Sequence, residues 1–170
     1  MQAPGILSLH AMTFTNAVHY AWHRAESDET RRLLLLQNAA FLPLFRGNRA
    51  DNGTHIDALE PLTPEANGDD AVAEIFADVS KDRGLAARKI LGWLKDRPSP
   101  QPFADAARRL VFLKGRDSHD YKFSSAVFED CERLSQPTRD RVLAASAFQL
   151  RGSGDADNDL VKRTRAAMGA

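Results

Sequence analysis

Apolar residues recur at helical spacing along nearly the whole chain, and no run alternates with period two. The first segment, about Leu7 to Ala25, carries Ile6, His10, Phe14, Ala17 and Ala21 on one side when residues are placed 100° apart. Met12, His19, Trp22 and His23 fall roughly on the other side. Apolar material on both sides predicts a helix buried nearly all round. Ser27 or Asp28 is a suitable N-cap for a second helix, about Glu29 to Arg46. Its centre, Leu33 to Leu42, is the most apolar stretch of the chain and reads as the central core helix. Pro43 should bend or loosen its last turn, and Gly47 suits a C′ position. The short connection at 26–29 makes the two helices an antiparallel hairpin.

Residues 46–70 turn polar and rich in Gly, Asn and Pro, with one short turn expected around His55–Leu59. Connections of this length are usually functional or mobile. Too little chain precedes it to make it a domain boundary, so a single domain is expected. Helical patterns then resume at about Asp70–Val79, Leu85–Lys95, Phe103–Leu113, Ser118–Leu134, after Pro137, and at Asp159–Met168. Ala86, Ile90, Trp93 and Leu94 should point inward. So should Phe103, Ala107, Leu110 and Val111, and later Val142, Leu143, Ala145, Ala147 and Phe148 or Leu150. Pro98, Pro100 and Pro102 form a stiff linker, and Gly115 ends a helix. The predicted fold is an all-α, single-domain array of seven to eight helices without internal repeats.

Composition narrows the function classes. With 23 basic and 23 acidic side chains the 170-residue chain has a formal net charge of zero, which argues against a general grip on nucleic acid. Cys131 is the only cysteine, so no internal disulfide and no cysteine-built metal site can form. That usage suits a reducing, cytoplasmic setting. The longest apolar runs are far short of a membrane span, and no basic stretch precedes Ile6 as in a signal peptide.

Candidate chemistry centres on Asp117–Asp130, which reads as the opening of a helix. Asp117 is the expected N-cap, with Asp120 three residues later in a capping-box-like position. Three residues apart, His119 and Lys122 fall on one face and can address one ion. An ammonium has no lone pair, so Lys122 would bind as the neutral amine, serve as a charge partner, or act as a carbamate. The bland alternative is a lysine that extends outward over Phe128. His10, on the apolar face of the first helix, is the best companion, against a core histidine with one hydrogen bond. His19 and His23 have i, i+4 spacing but lie about half a turn from His10, so they suit a second surface with Trp22 or no site. Asp155, Asp157 and Asp159 alternate like a calcium loop. Leu160 and Ala166 stand where its glycine and glutamate belong, so no such loop is expected. No phosphate-cradling glycine loop, nucleophile elbow or dinucleotide fingerprint is present.

Two segments, Leu9-His-Ala-Met-Thr-Phe-Thr-Asn-Ala-Val18 and His119-Asp-Tyr-Lys-Phe-Ser-Ser-Ala126, resemble the C-terminal part of the questin oxidase-like family. The resemblance implies an all-helical oxygenase that acts on polycyclic aromatic or polyketide-type substrates. It also implies a non-haem iron held by His10, His119 and Lys122, the lysine carboxylated in one form of the site. Histidine and oxygen ligands also suit zinc or manganese. Family members are longer, and their N-terminal half contributes further histidines. A partner chain or homo-oligomer would then complete the site, His19, His23 or His55 would substitute, or the site is degenerate. The alternatives are a non-catalytic helical interaction subunit, binding through residues 46–70 and the His19/Trp22/His23 surface, or a small module for a hydrophobic ligand.

Overall fold

The computed structural model describes residues 6–46, 55–95, 97 and 99–169. Among them the chain is all-helical: α1 (Ile6–Arg24), α2 (Asp28–Arg46), a 3-10 turn (Ile56–Ala58), α3 (Gly68–Val79), α4 (Arg83–Leu94), α5 (Gln101–Lys114), α6 (Ser118–Cys131), α7 (Gln136–Ser146) and α8 (Asp159–Met168). The expected C′ residue Gly47 and the first part of the polar connection, 47–54, lie outside the described residues, as does Pro98. No described helix is long and apolar enough to cross a membrane. The chain divides into two compact units, residues 1–53 and 54–170, the division falling inside the polar connection.

The first unit is the α1–α2 hairpin. Ser27 caps α2, its Oγ accepting from the Thr30 N–H at 3.1 Å, a contact worth about 1 kcal/mol. Phe14 stacks on Phe41 at 5.2 Å and tilts against Phe45 at 6.1 Å. The Thr15 hydroxyl donates to Asn38 Oδ1 at 3.2 Å, and the Arg31 guanidinium lies 5.6 Å from the Trp22 ring centre. The expectation that both helices are core elements is not met. Only Leu9 and Val18 of α1 are buried, and no residue from 28 to 45 is. The stripe that meets α2 runs through Phe14, Thr15, Val18 and Trp22. His10 and Ala17 fall outside it and are exposed.

The second unit packs α3 to α7 around stacked aromatic rings. Phe76 of α3 lies 5.0 Å from Phe103 of α5, which meets Phe128 of α6 edge-on at 6.5 Å. Ile75, Val79, Ile90, Leu94, Val127 and Leu143 fill the space around them. The inward positions expected on α4, α5 and α7 are buried, apart from Leu110, Val142 and Ala145, which are half-buried. Pro102 and Pro137 sit in first turns of helices, where no intrahelical N–H is needed.

Two loops are locked onto this core. Glu74 of α3 accepts from the backbone N–H groups of Glu65 (3.2 Å) and Ala66 (2.8 Å). The same carboxylate lies 2.5 Å from the buried Lys89 Nζ, which also reaches Asp78 at 2.6 Å. Leu62 donates to the Arg88 carbonyl at 2.9 Å, and a Cβ at Gly92 would strike the Leu62 carbonyl, so only glycine lets this segment lie flat on α4. The loop after α7 is held likewise. Ser153 donates to the Phe76 carbonyl at 2.9 Å, and Gly152 passes so close to Ser80 that a side chain there would collide.

The ammonium of Lys89 beside Glu74 holds that carboxyl below the usual carboxylate range. Lys114 does the same for Asp157. A depressed carboxylate stabilises the fold above its unfolded pKa, and that contribution is lost as pH falls through the folded value. Thermal unfolding should therefore hold steady from neutrality to about pH 5 and decline below 4.5, the ordinary glutamate value. Glu74→Gln should lower the melting temperature at neutral pH and flatten that acid decline. Lys89 is raised by Asp78 and then by Glu74, so its share is intact below 10.5 and lost only above it.

Candidate functional site

The α6 opening is built as its sequence suggests, but it faces a different way. Asp117 caps the helix, accepting from the His119 N–H at 2.8 Å. That hydrogen bond, with the nearby imidazole, holds its carboxyl below the usual range. Asp120 reaches back to the Arg116 N–H at 2.7 Å, one residue before the N-cap whose N–H a capping box would use. The buried face of α6 centres on Phe123 and Val127. Lys122, one residue before Phe123, is turned about 100° from it, and its side chain is exposed. His119 is half-exposed, its Nδ1 3.2 Å from Asp117 Oδ1.

Each of the other candidate ligands belongs to one unit or the other. His10 belongs to the first unit and is exposed, whereas His119 and Lys122 belong to the second. His55 is exposed at the start of the 3-10 turn. Among the described residues, no group of three or more His, Cys, Asp or Glu side chains is placed to hold one metal ion. The inward Lys122 that the iron set called for is not what α6 presents, since that side chain is exposed.

Asp120 is the residue at this turn whose role the sequence understated. Its two carboxylate oxygens accept from Arg151 Nε at 3.0 Å and Nη2 at 2.8 Å. The guanidinium is raised above its ordinary value by that hydrogen bond. A planar fork on a carboxylate fixes orientation as well as distance, so the pair pins the loop after α7 to the start of α6. Next to it lies a cleft of about 510 Å³ with Arg116, Tyr121, Asp157 and Lys162 in its walls. Lys114 donates to the Asp155 carbonyl (2.5 Å) and to Asp157 Oδ1 (3.1 Å), and Arg165 also pairs with Asp157. Asp155, Asp157 and Asp159 thus serve lysine, arginine and backbone partners. A smaller cleft of about 240 Å³ is bordered by Cys131 and Phe128. Burial pushes the Cys131 thiol up to about 12, which removes it as a nucleophile at neutral pH.

On α1, His19 and His23 form a pair with their Nε2 atoms 2.9 Å apart and their rings edge to face. The His23 ring stands perpendicular to Trp22, with centroids 5.0 Å apart. On α2 the hairpin leaves large apolar side chains in water, Leu33, Leu36 and Leu44 being 60–67 % exposed. The heavy leucine content of α2 was plain in the sequence, but no periodic signal said that these leucines would lack cover. No family model, curated protein or solved structure matches the chain.

Asp120→Ala should cost about 3 kcal/mol or more of stability, because it strands a part-buried guanidinium. Lys122→Ala, at an exposed position, should change stability by no more than about 0.5 kcal/mol. Denaturant unfolding of the two variants measures both. Cys131 should resist iodoacetamide at pH 8 while the chain is folded and alkylate readily once denatured, as mass spectrometry would show.

Proposed function

We propose that the chain is a helical interaction subunit that assembles through its α1–α2 hairpin, with a second copy of itself as the partner. The observation that carries this reading is the uncovered apolar surface of α2. Leu33, Leu35, Leu36, Phe41, Leu42 and Leu44 are 39–67 % exposed. Each leaves on the order of 100 Å² of apolar surface in water. Spread over both flanks of α2, and together with Ile6, Leu7 and Tyr20 of α1, these side chains offer an apolar area on the order of the ~800 Å² that each partner of a stable complex buries.

Two further observations support self-association. The hairpin has only two buried apolar residues of its own, too few for a small helical unit to hold its shape without an added surface. The formal net charge is zero, so two copies approach without long-range repulsion. Two antiparallel hairpins joined along their apolar flanks give a four-helix bundle, which covers such flanks efficiently.

The oxygenase-like reading rests on the sequence resemblance alone. Its ligand set has an exposed Lys122 and a His119 that attends a helix cap, so no catalytic step is assigned to these residues. Light scattering during size exclusion tests the assembly. The wild-type chain should run as a dimer at micromolar concentration. Leu33→Glu with Leu36→Glu should give a monomer whose second unit still unfolds cooperatively. A wild-type chain that stays monomeric at tens of micromolar overturns the proposal.

A further inference from the structure

We infer that His19 and His23 form a two-point chelate for a borderline divalent cation of the zinc class, and that the same pair of a second copy completes the site. The inference rests on the self-association proposed above. Residues at i and i+4 on a helix stand one above the other, and here the two Nε2 atoms already meet at 2.9 Å. Two imidazole nitrogens each 2.0–2.1 Å from a tetrahedral zinc lie about 3.3 Å apart. An opening of about 0.4 Å, within the reach of small side-chain torsions, therefore admits the ion.

The chemistry balances without an added reactant. In the metal-free pair one Nε2–H donates to the other Nε2, so one ring carries its proton on Nε2 and the other on Nδ1. Binding needs both Nε2 lone pairs. The donor ring moves its proton to Nδ1 through solvent, and two neutral imidazoles face the cation with no net loss of a proton. Trp22 stands edge-on to the His23 ring and limits its swing.

Two ligands do not fill a tetrahedral ion. Within the hairpin Thr15 meets Asn38 and Trp22 meets Arg31, a register that sets His19 level with Leu34 and His23 level with Thr30. The pair therefore stands at the Leu33–Leu35 end of the α2 surface proposed for assembly, where both leucines are exposed. A two-fold dimer sets each patch against its own copy, and two pairs supply four imidazoles.

Isothermal titration of zinc chloride into the untagged chain, with light scattering on the same samples, tests this. The expected result is one zinc per two chains, a dimer with and without metal, and an affinity at least about tenfold weaker in His19→Ala and in His23→Ala. His55→Ala should bind as the wild type does. A dimer that takes no zinc, or whose binding survives in His19→Ala/His23→Ala, overturns the metal site and leaves the assembly reading standing. A chain that is monomeric with and without zinc overturns the assembly and the shared site together. One zinc per chain overturns the four-imidazole site.

Discussion

Two antiparallel helices can bury only the stripe that each turns toward the other. That constraint governs the first unit. α2 meets α1 through Leu34, Asn38, Phe41 and Phe45, which recur every three or four residues. Leu33, Leu36, Ala40 and Leu44 fall on one flank of that stripe, and Leu35, Ala39 and Leu42 fall on the other. No rotation of α2 covers all three sets with a single neighbour. A helix that is apolar all round belongs in the interior of something larger than a hairpin. Its apolar composition and its exposure in the hairpin are thus one observation, and a further helical surface is the simplest way to reconcile them.

The second unit obeys a different logic. Its helices are short, none longer than 14 residues, and each shows one apolar face to a shared core. Phe76, Phe103 and Phe128 bridge α3, α5 and α6 in one line of ring contacts, and such aromatic contacts dominate the stability of small cores. Charges are then placed where loops must be held. Lys89 with Glu74 and Asp78 ties α4 to α3, whose Glu74 also holds the loop at Glu65–Ala66, and Arg151 with Asp120 ties the loop after α7 to α6. The paired charges are part-buried and hydrogen-bonded, so the loss of one partner is costly even though the net gain from the pair is modest.

This division explains what the sequence could disclose. The existence of each helix was legible, because Ser27 and Asp117 announce starts, Gly115 an end, and the apolar period of α3 to α7 matches a single buried face. Helical phase was less legible on α6. The choice between a face centred on Phe123 and one holding Lys122 turns on a rotation of about 100°, and the pattern Tyr-Lys-Phe-Ser-Ser-Ala admits either. The burial of α2 was not legible, since hydrophobicity records what a residue prefers and not whether a neighbour exists to meet it. Asp120 could have been singled out as a charged residue at a helix start. Its partner Arg151 is 31 positions away, a separation that no local pattern spans.

The histidines bring these strands together. Sequence spacing offered two groupings: His10 with His119 and Lys122 across the chain, or His19 with His23 along one helix. The local grouping is the one whose donor atoms meet, because i, i+4 proximity follows from helical geometry alone. A long-range grouping needs independent elements to agree in both phase and position. A helix that presents a preformed pair of imidazoles beside uncovered leucines combines a directional contact with a non-directional one. Apolar burial supplies most of the free energy of association but tolerates sliding along the helix axis. A fixed pair of metal donors tolerates none, because coordination distances are set to about 0.2 Å. The leucines would therefore set whether two hairpins associate, and the histidines would set the register in which they do.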